Sequence, residues 1–259
     1  MSKASYYYIP GHHDHRKRPL DTRLVEQLHS LSGYELVYGY RKVSNKLKVY
    51  NHKKVYRHMK QLKMLQPKKL KKRKQTRLPI GCPIAFDIRW EGDLTYVWDG
   101  HQLNYLFVIV DGYDKEPIGD SYGLRCRSAE AIHSLEEAVL SRFGNLKSVH
   151  DIRVTLRVDQ GSQYIARKFR ERAEELGVKI EYCGINCPDD KPYIESFFSR
   201  YKCEEVYRND YRSFSNALLG WMQYKHWYKT ERIHQGLGFR SIPEFKKTGR
   251  HTFSKGILV

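Results

Sequence analysis

The sequence predicts a mixed α/β domain preceded by a small helical region. Three observations carry this. Apolar residues recur at helical spacing through residues 21–65, and from residue 83 onward β-rich runs alternate with helical ones. The charge divides the chain at the same place: residues 1–79 hold 21 Lys/Arg against 4 Asp/Glu, whereas residues 80–259 hold 26 against 25. With 259 residues there is enough chain for one large or two smaller cores.

Residues 1–18 read as irregular, with Pro10, Gly11 and the histidines His12, His13 and His15. In "DTRLVEQLHSL" (21–31), Leu24, Val25, Leu28 and Leu31 share a helical face, with Asp21 or Thr22 as cap. Tyr40, Val43 and Leu47 mark a second helix, and Val55, Met59 and Leu62 a third, capped by Asn51. Three short helices with basic outer faces suit a helix-turn-helix type of DNA-binding unit. "PKKLKKRKQTRLP" (67–79) reads as a flexible basic linker. Next, 83–98, 103–114 and 117–126 predict a three-stranded meander. A helix follows over 128–144, with Ser128 as cap and Gly144 as stop. Then come a strand (151–161), a helix (164–177), a strand (178–184) and a helix from Asp189 or Asp190 past Lys202. The order is βββαβαβα.

No apolar run approaches a membrane span, and the N-terminal residues carry no apolar signal-peptide core. Five cysteines, an odd number, read as reduced cytosolic thiols rather than a disulfide frame. None falls in residues 1–79, which argues against a zinc module there, and Cys183, Cys187 and Cys203 fall short of a zinc pattern. The concentrated positive charge points to a polyanion, most simply nucleic acid; the competing reading is a solvated basic face.

Acids among apolar residues stand out in so basic a chain. Asp93 lies in the strand-like "GDLTYV", Asp159 ends "VTLRVD", and Glu195 sits in "KPYIESFF" beside Ile194, Phe197 and Phe198. A carboxylate on a buried face is costly unless its charge is compensated, and a divalent cation does that. Asp87 and Asp111 read as structural or turn acids, and Asp189 and Asp190 as helix caps.

Asp159 and Glu195 have 35 residues between them, which resembles the D, D-35-E signature of the retroviral-integrase-like transposases. "GDLTY", "VDQGSQY", "DDKPYIESFFSRYKCE" and "YKTERIHQGLGFRSIPEF" resemble four ordered motifs of that family. "YGYRKVSNKL" and "KKVYRHMKQLKML" resemble the helix-turn-helix region of the second-frame product of IS3-type insertion sequences. The likeness runs from about Tyr6 to about Phe245. Departures are Lys191 and Pro192 for the usual Asn and Ala, Gly92 for Thr before Asp93, and an extra Ile242 before Pro243.

The resemblance implies an RNase H-like mixed-sheet core preceded by a helical DNA-binding region. Its implied divisions are a helix-turn-helix-like region (1–66), the linker (67–79), the integrase catalytic core (80–210) and a C-terminal helical extension (211–259). It implies a DDE-type polynucleotidyl transferase that cuts and joins DNA, with Asp93, Asp159 and Glu195 holding two Mg²⁺ or Mn²⁺ ions. DNA contacts fall to Lys202 and to Lys68, Lys69, Lys71, Lys72, Arg73 and Lys74. The implied partners are transposon ends, target DNA, further copies of the chain on DNA, and an upstream-frame helix-turn-helix protein or fusion; the implied place is the cytoplasm, at the nucleoid, with no membrane. Gln160, Ser162 and Tyr164 either shape the site or touch DNA, and Arg232 and His234 either touch DNA or brace the core. Alternatives are a catalytically retired DNA-binding protein and an RNase H-like nuclease.

Overall fold

The computed structural model describes residues 19–49, 51–66, 83–146, 154–184 and 190–252, with backbone alone at 249–252. His12, His13, His15, Cys82, Cys187, Asp189 and the basic run with Lys68, Lys69, Lys71, Lys72, Arg73 and Lys74 lie outside the described residues. The described residues form two compact units, 19–66 and 83–252.

The first unit holds three helices, α1 (Thr22–His29), α2 (Tyr40–Lys46) and α3 (His52–Gln61), with a 3₁₀ turn over Gly33–Val37. Leu24, Leu28, Leu31, Tyr38, Val43, Val55 and Met59 make its core. Asp21 caps α1 by accepting from Leu24 N, and Asn51 caps α3 by accepting from Lys54 N. His58 of α3 is fully buried. Its Nε2 accepts from Asp21 N at 2.8 Å while its Nδ1 meets Lys54 O at 2.8 Å, so the ring bolts α3 to the start of α1.

The second unit is a five-stranded mixed sheet in the order β3-β2-β1-β4-β5. Its strands are β1 (Arg89–Trp98), β2 (Leu103–Asp111), β3 (Pro117–Gly123), β4 (Thr155–Val158) and β5 (Lys179–Tyr182). β1, β2 and β3 form an antiparallel meander, and β4 and β5 run parallel to β1. Parallel pairing needs crossovers. The β3–β4 link carries α4 (Ser128–Phe143); the β4–β5 link carries α5 (Ser162–Ile165) and α6 (Arg167–Glu175). On one face Trp90, Phe107, Ile109, Leu156 and Val158 pack with Ala131, Leu135, Ala138 and Val139 of α4 and Phe169 and Ala173 of α6. The other face takes α7 (Pro192–Glu204), backed by α8 (Phe214–Thr230), and α9 (Ile242–Thr252) completes the unit.

The local chemistry corrects several boundaries. Residues 83–88 are not strand, because Asp87 takes a left-handed turn at φ 57°. Ser128 is the first residue of α4, not its cap: Arg127 holds the N-cap, and its N–H donates to Glu130 Oε2 at 3.0 Å. The helix expected over 164–177 is broken at Ala166, whose ψ of 137° is extended. Asp190 does not cap α7. Its Oδ2 accepts from Gly184 N, and Lys191 is the N-cap, with Pro192 at the first helical position. The inserted Ile242 is buried, and Ser241 and Glu244 form a capping box around it: Glu244 Oε2 accepts from Ser241 N at 2.8 Å.

Asp87 and Asp111 belong to a buried network around Arg142. Its guanidinium lies 2.9 Å from Asp114, 3.2 Å from Asp87, 3.2 Å from Glu116 and 3.6 Å from Asp111. Lys229 of α8 (3.1 Å) and Lys246 of α9 also pair with Glu116, tying both helices to the β2–β3 turn. Burial, then the neighbouring Asp114 carboxylate, push Asp111 up to about 6 from an ordinary 3.8. Between those values the unfolded chain has released this proton and the folded chain keeps it. The contribution of Asp111 is therefore fully present below pH 4 and is lost as pH rises through 6. Lys229, Arg142 and Lys246 hold Glu116 below its usual range despite burial, and that group acts in the opposite sense. Comparison with Asp111→Asn isolates the first effect. The stability of the parent relative to this variant should fall by about 2 kcal/mol from pH 4 to pH 7 in urea unfolding. A pH-independent difference would contradict it.

Candidate active site

Asp93 lies mid-way along β1, and Asp159 follows the last residue of β4, the parallel neighbour of β1. Alternation along β1 turns Trp90 toward α4 and turns Glu91, Asp93 and Thr95 to the α7 face. Gly92 between them points into the α4 side: a Cβ there would lie 3.1 Å from Val158 Cγ1, so a side chain would crowd the core. Asp159 is set by a local turn in which its Oδ1 accepts from Gly161 N at 2.9 Å. A Cβ on Gly161 would sit 2.8 Å from that oxygen and 2.4 Å from Gln163 Nε2, so both side chains would have to shift to admit one.

The two acids converge on one cation, the ammonium of Lys191. Its Nζ lies 3.2 Å from Asp93 Oδ2 and 3.9 Å from Asp159 Oδ2, and it donates to Gly92 O at 3.4 Å. The Lys191 side chain is 6% exposed, against 22% for Asp93 and 45% for Asp159. Burial raises the pKa of Asp93, Lys191 opposes that rise, and the Asp159 carboxylate adds to it. The site therefore concentrates negative charge at a point that takes a cation. Its hard carboxylate oxygens fit Mg²⁺ or Mn²⁺ by donor type.

Glu195 is exposed on α7, one turn beyond Lys191, and its N–H donates to Lys191 O at 3.2 Å. Residues four apart share a helix face, so Glu195 is on the side from which Lys191 reaches the acids. Among the described residues, no three His, Cys, Asp or Glu side chains are grouped closely enough to hold a metal ion. Asp93 and Asp159 are thus brought together on Lys191.

The sequence reasoning missed Glu91. This fully buried side chain lies two residues before Asp93, and its Oε2 accepts from Tyr193 N at 2.8 Å and Ile194 N at 3.0 Å. Those are first-turn amides of α7, so a β1 carboxylate anchors the helix that carries Lys191 and Glu195. Burial raises its pKa and the two amides oppose the rise. The available signal was the spacing: in "WEGDLTY" an acid two residues from Asp93 must share its face of the strand.

Tyr164 is buried, with its ring packed edge-on against Phe107 and Phe169. Burial, followed by Asp93 and Asp159, raises its hydroxyl pKa well above the ordinary value. Gln160 is exposed and donates to Cys183 O at 3.2 Å, and Ser162 is the exposed first residue of α5. Arg232 and His234 are both buried. Arg232 grips Glu204 of α7 with two hydrogen bonds, so it braces the core. Lys202 is half-buried and lines a cleft of about 550 Å³ with Tyr96, Trp98, Leu103, Tyr207 and Tyr211.

Residues 87–188 match the model of an integrase core domain, and residues 176–241 match a second integrase core model. Residues 87–241 therefore resemble an integrase core. The transposase of insertion sequence element IS904 from Lactococcus lactis is 25% identical over 159 residues, which are 61% of this chain and 60% of that protein. The transposase of IS629 from Shigella sonnei is 23% identical over 161 residues, 62% of this chain and 52% of that protein. The matches thus span three fifths or less of these relatives' length. A solved simian T-cell lymphotropic virus intasome, in complex with a PP2A regulatory subunit, has a chain that superposes with a TM-score of 0.53 at 16% identity, over 86% of this chain and 74% of that one. That likeness establishes the fold, and the integrase core here is RNase H-like. No helix among the described residues is long and apolar enough to cross a membrane.

Proposed function

We propose that this protein is an insertion-sequence transposase of the IS3 type that cuts and joins DNA through divalent cations held by Asp93, Asp159 and Glu195. The observation that carries the reading is the convergence of Asp93 and Asp159, from adjacent parallel strands of an integrase core, on one cation position. When bound, two such ions supply activation of the attacking oxygen and stabilisation of the leaving one in an in-line displacement. The chain's own residues do the rest. β1 and β4 hold two hard ligands rigidly, Glu91 fixes the start of α7, and α7 presents Glu195. The attacking group is water in the cut that frees a 3′-OH, and that 3′-OH in the joining to target DNA.

The first unit and the basic run with Lys68, Lys69, Lys71, Lys72, Arg73 and Lys74 are the proposed DNA-holding part. Transposon ends and target are its ligands, further copies of the chain assemble on them, and an upstream-frame helix-turn-helix protein or fusion supplies end recognition. The setting is the bacterial cytoplasm at the nucleoid. Incubation with end-labelled duplex in Mg²⁺ tests the reading: cut and joined products are expected, and none with EDTA. Cutting without joining would indicate a hydrolytic nuclease, and binding without either a retired core.

Lys202 is the proposed phosphate contact on α7. Seven residues are close to two helical turns, so Lys202 lies on the same face of α7 as Glu195, two turns further along. Lys202→Ala should lower the magnitude of the salt slope of DNA binding by about one, with divalent-ion binding unchanged. An unaltered slope and unaltered joining would mark Lys202 as a solvated lysine.

A further inference from the structure

We propose that Lys191 is a built-in cation of the acid pair, which occupies the position between Asp93 and Asp159 and competes with a divalent ion for it. The inference rests on the reading of these acids as cation ligands given above. A buried ammonium requires compensation, and that of Lys191 lies with the site: 3.2 Å to Asp93, 3.9 Å to Asp159 and 3.4 Å to Gly92 O. Its backbone has little freedom to carry the side chain away. Lys191 is the N-cap of α7, Pro192 follows it, and its carbonyl accepts from Glu195 N. The next residues, Tyr193 and Ile194, are tied by their N–H groups to Glu91 of β1. The helix that presents Glu195 therefore delivers an ammonium between the other two acids.

The physical consequence is a competition. Without a divalent ion, two like-charged carboxylates on neighbouring strands repel, and the ammonium offsets that repulsion and keeps the pair together. A divalent ion seeking the same oxygens meets a positive charge already there. Lys191 must swing out for it to enter. The side chain thus stabilises the ion-free site and weakens divalent binding, and it makes loading of the site a conformational step of one residue.

The test is Mn²⁺ binding to the full chain without DNA, by calorimetry and by the paramagnetic signal of free Mn²⁺. Lys191→Met keeps the length of the side chain and removes its charge. It should bind Mn²⁺ at least about tenfold tighter than the parent, and Lys191→Arg should remain close to the parent. In EDTA the methionine variant should melt below the parent, and Mn²⁺ should raise its midpoint by more. Lys191→Gln gives the same comparison should the methionine variant not fold. Equal or weaker Mn²⁺ affinity in both neutral variants, with Asp159→Asn abolishing binding in the parent, overturns the assignment of Lys191 and leaves the acids as ligands. Mn²⁺ binding insensitive to Asp93→Asn and Asp159→Asn overturns both.

Discussion

Asp93→Asn, Asp159→Asn and Glu195→Gln are each expected to reduce divalent-ion-dependent joining of labelled DNA by at least about 100-fold. Ions of this kind contribute several kcal/mol of charge stabilisation in phosphoryl transfer, and about 2.7 kcal/mol is already a hundredfold in rate. Each substitution removes one unit of ligand charge and little volume. Asp159 is 45% exposed and Glu195 is on the surface of α7, so the thermal midpoints of those two variants should remain within a few degrees of the parent. Asp93→Asn takes the nearest carboxylate from the buried Lys191 ammonium and should lower the midpoint further. Duplex binding should persist in all three. A variant retaining near-parental joining in Mg²⁺ would remove that residue from the proposed ligand set. Glu195→Gln is the sharpest of the three, because it alone tests the ligand that α7 is proposed to present.

Arg232→Met is expected to cost the integrase core about 3–5 kcal/mol, the range for breaking a buried ion pair from one side. Arg232 meets Glu204 through Nε at 2.7 Å and a second guanidinium nitrogen at 2.5 Å, and both side chains are more than nine-tenths buried. Glu204 ends α7 and also accepts from Tyr224 of α8 at 3.0 Å, and Arg232 follows the end of α8. The pair therefore joins the helix of the site to the helix that backs it. Its guanidinium carbon is also 5.0 Å from the Tyr228 ring centroid. Loss of the arginine leaves the Glu204 carboxylate buried without its cation. For a unit of this size the loss corresponds to a midpoint lowered by about 10 °C, readable by calorimetry. The double variant Arg232→Met/Glu204→Leu should recover most of it, because an apolar pair has no charge left to desolvate. A drop below about 1 kcal/mol in the single variant would show that this pair does not brace the core.

Helix and strand periods were legible because they depend on local geometry. Leu24 and Leu28, and Val55 and Met59, occupy the buried faces their spacing predicts, and the unbroken apolar run of β2 is buried along nearly its whole length. Asp21, Asn51 and Gly144 act at helix ends as their chemistry requires. Boundaries were less legible where a single φ/ψ choice decided them. Nothing in "YIARKFRERAEEL" announces the break at Ala166, and a serine before an apolar run reads as a cap whether or not the chain turns one residue earlier.

By itself the sequence determined a mixed α/β integrase core, the spacing of its acids and the strands and helix that carry them. These follow from periodicity and from motif residues such as Gly161, whose role is confined to one turn. Only the tertiary structure decided which charges meet. Lys191 and Asp93 are 98 positions apart, Glu91 and Tyr193 are 102 apart, and Arg142 gathers Asp87 from the turn before β1 with three acids from the β2–β3 turn. The strength of such contacts depends on burial and on ångström-scale distance, which no local pattern encodes. The same limit left Arg232 undecided between DNA and core until its guanidinium was found enclosed with Glu204.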